Sequence, residues 1–172
     1  MSDSVLVGYA TRYGSTREVA ETVAATLRAQ GLAVEVQPLR AVRSLAGYRA
    51  VVVGAPLFLF RWHSDALRFL ARHRAALAQR PVAVFALGPV HDPYDEAEWQ
   101  HSGDQLAKAL AQTPWLTPVA LKLFGGKYDP SKLRFPIKQL AGAAPASDLR
   151  DWPAIRAWAA ALRPLLTGRA EG

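Results

Sequence analysis

The chain has no cysteine among its 172 residues, which excludes disulfide scaffolds, thiolate metal sites, dithiol redox pairs and cysteine nucleophiles together. Any redox chemistry must then come from a bound cofactor. No apolar run reaches the roughly 18 residues of a membrane span, and the N-terminus lacks the basic stretch and apolar core of a secretory signal. The expected location is therefore the cytoplasm. Acidic residues are few: Asp and Glu total 14 against 21 Lys and Arg, giving a formal net charge of +7 and a pI of about 10.1. With 51% hydrophobic and 20% charged residues, the composition is far from that of disordered chains. The length suits a single domain, residues 1–172, with a sizeable core.

The basic excess is uneven. Residues 61–80 hold Arg61, Arg68, Arg72, Arg74 and Arg80 against Asp65, and residues 122–138 hold Lys122, Lys127, Lys132, Arg134 and Lys138 against Asp129. Two readings stand side by side: an anionic partner surface, or solvated helix and loop exteriors. No nucleic-acid partner is expected.

Apolar runs at Val5–Tyr9, Ala33–Gln37, Ala50–Val53, Pro81–Leu87 and Val119–Phe124 read as five strands. Helical spacing follows at Val19, Ala20, Val23, Ala24 and Leu27, at Leu67, Leu70, Ala71 and Leu77, at Leu106–Leu110, and at Ile155, Trp158, Ala159, Leu162 and Leu166. Ser15 with Glu18 fits a capping box, Gly31 a left-handed stop, and Asp151 with Pro153 a helix start. Residues 91–104, acidic and poor in aliphatic side chains, read as an exposed loop. Residues 125–146 read as a basic insertion with a short helix near Ile137–Leu140. Alternating strands and helices predict a three-layer α/β domain with a parallel sheet and helices on both faces, whose ligand lies at the strands' C-terminal edge.

The first loop at that edge is Thr11-Arg12-Tyr13-Gly14-Ser15-Thr16. It offers three hydroxyls, a glycine and an adjoining helix N-terminus, the ingredients of a phosphate site. It lacks both the GK[ST] ending of a nucleoside-triphosphate loop and the GxGxxG of a dinucleotide loop, so a monophosphate suits it best. An ordinary strand-to-helix turn is the alternative. The second loop, Pro56-Leu57-Phe58-Leu59-Phe60-Arg61-Trp62, is apolar for an exposed edge; either a ligand covers it or Phe58 and Phe60 plug the core. His63, His73, His91 and His101 lack metal spacing and read as surface or capping residues, so no metal site and no catalytic side chain is expected, the alternative being His63 or His91.

The run Val7-Gly8-Tyr9-Ala10-Thr11-Arg12-Tyr13-Gly14-Ser15-Thr16-Arg17-Glu18-Val19-Ala20-Glu21-Thr22-Val23 resembles the flavodoxin signature. Gly8 departs from it, standing where the family usually has a bulky residue. Gly54-Ala55-Pro56, Trp62-His63, Trp115, Phe124-Gly125-Gly126 and Asp151-Trp152 are similar to the menaquinone-dependent protoporphyrinogen oxidase branch. The resemblance implies a flavodoxin-like fold, sheet order 2-1-3-4-5, and FMN as cofactor. The FMN phosphate would lie in the loop of Thr11, Arg12, Tyr13, Gly14, Ser15 and Thr16. Its isoalloxazine would lie between Pro56, Leu57, Phe58, Leu59, Phe60 and Trp62 on one side and Leu87, Gly88, Pro89, Val90 and Tyr94 on the other. Tyr13 replaces a threonine common in flavodoxins.

Two functions follow as expectations. One is an FMN-dependent oxidoreductase passing electrons from an apolar, porphyrinogen-like substrate to a quinone, peripheral at the inner face of an anionic membrane through the 125–146 insertion. The other is a soluble flavodoxin-type carrier docking to a protein partner. A phospho-receiver, which shares the architecture, would need clustered acids where Thr11-Arg12 stands.

Overall fold

Val5–Val7, Val51–Val53 and Val82–Ala86 are buried throughout, as parallel strands covered on both faces must be. They belong to β1 (Ser4–Tyr9), β3 (Tyr48–Phe58) and β5 (Val82–Leu87), which lie between β2 (Val34–Pro38) and β6 (Ala120–Phe124). The computed structural model describes residues 4–58, 61–133 and 145–168. Every pairing along the order β2-β1-β3-β5-β6 is parallel. Counted among the five parallel strands alone, this is the expected 2-1-3-4-5.

Alternate residues of each strand feed two cores. Val5, Val7, Ala50, Val52, Ala83 and Phe85 face helices α1 (Ser15–Ala29) and α5 (Trp152–Thr167). Leu6, Val51, Val53, Val84 and Ala86 face α2 (Ser64–Arg72), the one-turn α3 (Arg74–Leu77) and α4 (Glu96–Leu110). On the first face Phe85, Phe124 and Trp158 pack as an aromatic triad with centroids 5.7–6.2 Å apart. A Cβ on Gly54 would fall 1.9 Å from the Phe85 ring, so the strand beneath that ring must be glycine. Gly8 has a similar reason: Leu39 Cδ2 lies 2.4 Å from where its Cβ would be.

Helix ends follow their sequence signals with two exceptions. Gly31 is left-handed (φ 89°), and Asp151 caps α5 by accepting from the Ala154 N–H at 3.0 Å. Inside α5, Pro164 cannot donate to the Ala160 carbonyl, and the Gln30 amide donates to that carbonyl instead at 3.1 Å. The first exception is α4, which begins ten residues before the expected Leu106. Asp95 Oδ1 caps it by accepting from Ala97 N–H and Glu98 N–H, and Glu96 and Glu98 suit the positive end of the helix dipole. The acids that suggest a loop are thus the helix's start. The second is α1, discussed below.

β3 also runs further than expected. Pro56-Leu57-Phe58 continues the strand and turns back on β4 (Arg61–Trp62), pairing Leu57 with Trp62 and Phe58 with Arg61. A second small ladder, β7 (Lys127–Tyr128) with β8 (Ser147–Asp148), brings together the two ends of the expected insertion. The short helix expected near Ile137–Leu140 lies outside the described residues, as do Leu59 and Phe60.

Candidate functional site

At the C-terminal edge of the sheet a cavity of about 380 Å³ opens between four chain segments, a size at the small end of ligand pockets. The β1–α1 loop contributes Arg12, Tyr13 and Ser15, the end of β3 contributes Pro56, Leu57 and Phe58, and the end of β5 contributes Leu87, Gly88 and Val90. Gly126–Asp129 and Leu133 form the fourth wall. Three of the predicted loops therefore meet here.

The floor of one end is the first turn of α1, and its geometry corrects the expected capping box. The N-cap is Gly14, left-handed at φ 94°, and among the described residues no side chain caps the helix. Thr11 Oγ1 instead accepts from the Gly14 N–H at 2.8 Å, which shapes the loop. Ser15 is already helical, and Glu18 turns away to Arg150 at 3.3 Å. The N–H groups of Ser15, Thr16 and Arg17 are those an α-helix cannot satisfy internally, and here no side-chain cap serves them. Thr16 is fully buried, and its hydroxyl has no hydrogen-bond partner among the described residues. An uncapped helix start with an unserved hydroxyl is chemically a receptor for an oxyanion.

The other walls are apolar and braced by stacking. The Arg12 guanidinium lies 4.5 Å from the centre of the Phe58 ring, and Tyr13 meets Phe58 edge-on at 6.3 Å, so Phe58 joins the first two loops. The fourth wall is pinned to the third: Gly126 N–H donates to Pro89 O at 2.7 Å, and the Ser147 hydroxyl donates to Val90 O. Across the cavity the Lys132 ammonium donates to Tyr13 O at 3.3 Å. Asp129 is held below the usual carboxylate range by hydrogen bonds from Ser131. Leu133, expected on a membrane-facing patch, is only 7% exposed and lines the cavity.

Several predicted residues lie elsewhere. Trp62 is 2% exposed and donates its indole N–H to Ala55 O at 3.0 Å, so the antiparallel turn of β4 has carried it into the core. Tyr94 is 71% exposed and stacks on Trp99 beyond the α4 start, outside the cavity. Pro89 serves through its carbonyl, as above. His63 Nδ1 caps α2 by accepting from Asp65 N–H at 3.0 Å; burial, helped by Arg12, Arg40 and Arg68 and opposed by Asp65, holds its pKa below the usual value, which keeps that lone pair free. His91 Nδ1 bonds Pro93 O at the surface.

Sequence reasoning does not single out Arg150. Its side chain is 3% exposed, grips Asp148 with Nε and Nη2 at 2.9 and 2.8 Å, donates to Ser15 O at 3.2 Å, and lies 4.8 Å from the Trp152 ring centre. Asp148 is thereby held below the carboxylate range and Arg150 above its ordinary value. This fork ties β8 to the first turn of α1. The only sequence signal is the two-residue spacing of Asp148 and Arg150, which puts them on one face of extended chain.

A doubly wound sheet with an uncapped first helix facing an edge cavity defines a flavodoxin-like α/β protein. The chain belongs to the flavodoxin-domain family, whose pattern matches residues 6–141. Among solved structures it is similar to a flavodoxin from the domain Archaea, with 15% identity over 95% of this chain and 99% of that one and a TM-score of 0.57. A cysteine-to-serine mutant of the flavodoxin from Pseudomonas aeruginosa gives 21% identity, 93% and 99% coverage and a TM-score of 0.54. The rubredoxin oxygen:oxidoreductase of Desulfovibrio gigas gives 16% identity over 97% of this chain but 37% of that one, at a TM-score of 0.57. No curated protein matches the chain in sequence. These findings support the flavodoxin superfamily and give no support to the protoporphyrinogen oxidase branch.

Proposed function

We propose that the protein binds FMN in the edge cavity and works as a flavodoxin-type electron carrier. The observation that carries this reading is the uncapped α1 start, whose Ser15 lines an apolar cavity, with the buried hydroxyl of the next residue, Thr16, lacking a partner among the described residues. The residues fit the group. Backbone N–H of Ser15, Thr16 and Arg17 would hold the phosphate, and Pro56, Leu57, Phe58, Leu87 and Leu133 would shield the ring from water. FMN, when bound, supplies reversible electron transfer, and the protein orients and tunes it. No side chain needs to act as acid or base. Lys132 braces the phosphate loop through Tyr13 O and brings positive charge to it, whereas the Arg12 guanidinium lies over Phe58 on the ring wall.

A quinone-linked, protoporphyrinogen-oxidase-like activity rests on the apolar walls alone, and those walls equally suit the flavin ring. It is tested by reoxidation of the reduced protein with a menaquinone analogue. Rates no faster than those of free reduced FMN would retire it. For the main reading, titrating the purified chain with FMN should quench flavin fluorescence to a one-to-one end point; no quenching at micromolar concentrations would overturn it.

A further inference from the structure

Four arginines come from four different elements, and one of them, Arg12, lines the cavity. Arg12 lies in the first loop, Arg40 in the 3-10 turn Leu39–Ala41 after β2, Arg61 on β4 and Arg68 on α2. All four are exposed, Arg68 at 80%. Arg68 lies 4.0 Å from Asp65, which lies 4.0 Å from His63 Nδ1, and the charges of Arg12, Arg40 and Arg68 all oppose protonation of His63. Arg61 is paired with Phe58, the residue whose ring Arg12 covers. Among the described residues Asp65 is the one acid that acts on the His63 ring.

We propose that this arginine face is the docking surface for an acidic one-electron-transfer protein, placing its redox centre against the cavity mouth at Phe58. The proposal rests on the FMN reading and deepens it by naming the partner's chemistry. A small anion would need donors converging on one point, whereas these four project from separate elements across a surface. The arginines beside the Phe58 wall, on a chain of net charge +7, steer a carboxylate-rich partner to that side of the cavity, while exposed Asp92 and Glu96 stand on the β5–α4 loop and at the α4 start. Each docking event passes one electron. With FMN bound, two reduced partners would be oxidised for each FMN fully reduced, the two protons being taken from solvent.

The test is the sign of the salt dependence in stopped-flow experiments on the FMN-loaded protein. Reduction by a photoreduced, net-acidic [2Fe–2S] ferredoxin should slow by about tenfold or more as salt rises from roughly 0.02 to 0.3 M, because screening shortens the reach of the charges to several ångströms. Oxidation of the reduced protein by net-basic cytochrome c should instead speed up with salt. The double variant Arg61→Glu with Arg68→Glu, neither of which lines the cavity, should bind FMN as before but lose the ferredoxin salt effect; Glu96→Gln on α4 should keep it. A flat or rising ferredoxin rate overturns the proposal. So does sedimentation with phosphatidylserine vesicles that the double variant abolishes while the ferredoxin rate stays insensitive to salt, which would assign the face to lipid. Failure of the wild-type chain to retain FMN overturns both this proposal and the function beneath it, whereas retained FMN with the wrong salt sign removes only this one.

Discussion

Thr16→Val should have opposite effects on the two forms of the protein. In the cofactor-free chain the Thr16 hydroxyl is fully buried and without a partner among the described residues, and a buried unsatisfied hydroxyl costs about 1–3 kcal/mol. Valine keeps the shape without the oxygen and has a similar helix propensity. The apo variant should therefore be as stable as the parent or more so, by up to about 2 kcal/mol, or several degrees in Tm at about 2–4 °C per kcal/mol for a chain of this size. In the FMN complex the same change deletes a hydrogen bond to a charged phosphate, of order 1.5–3 kcal/mol, and affinity should fall roughly tenfold to over a hundredfold. Calorimetric titration with FMN and urea unfolding of the apo form measure the two halves. Unchanged FMN affinity, or an apo variant less stable by more than about 1 kcal/mol, would refute the reasoning, the latter because it would reveal a partner inside the chain.

Arg150→Met removes the fork on Asp148 and the donor to Ser15 O. Because Asp148 and Glu18 are 40% and 54% exposed and can re-solvate, the stability loss should be modest, about 1–2 kcal/mol. FMN affinity should fall more than riboflavin affinity, and equal losses would remove Arg150 from the phosphate end. His63 and His73 are both held below the ordinary histidine value of 6.5, chiefly by burial. The unfolded chain then binds protons that the folded chain refuses, so stability is full above about pH 7 and declines as pH falls through 6.5. His63→Asn, which keeps a capping oxygen but does not titrate, should flatten that decline in urea melts at a series of pH values. Gly54→Ala drives a methyl into the buried Phe85 ring and should cost about 3 kcal/mol or more. Gly8→Ala meets only a Leu39 methyl and should cost less; the reverse order would contradict the packing described.

How far the sequence is legible depends on whether a residue's partner is local. Val5–Val7, Val51–Val53 and Val82–Ala86 announce central strands because burial on both faces leaves an unbroken apolar run. Pro56 hides the continuation of β3: proline disfavours a central strand, yet beyond Gly54 the strand needs only to reach Phe58 and turn back on Arg61. Trp62 reads as a cofactor contact when residues 56–62 form one loop, whereas strand alternation turns its ring inward. The start of α4 escapes the periodicity because its first two turns bury little and are held by Asp95, with Glu98 accepting from Val90 and His91 N–H. The phosphate loop is legible from its hydroxyls and glycine, but the Ser15 cap is not realised. Gly14 takes the N-cap position, leaving the first-turn donors open. Arg150, Lys132 and Leu133 reach the site only through contacts with residues more than a hundred positions away or through a cavity wall, and no periodicity signals such contacts.

The central claim is that the first turn of α1 is a phosphate site serving a flavin in the adjoining cavity, and the most direct measurement is the ratio of dissociation constants for riboflavin and FMN on the same purified chain. If the first-turn backbone donors and the Thr16 hydroxyl serve the phosphate as proposed, FMN should bind at least about a hundredfold more tightly, a difference of roughly 3 kcal/mol. Equal affinity for the two, or binding of neither, would contradict it.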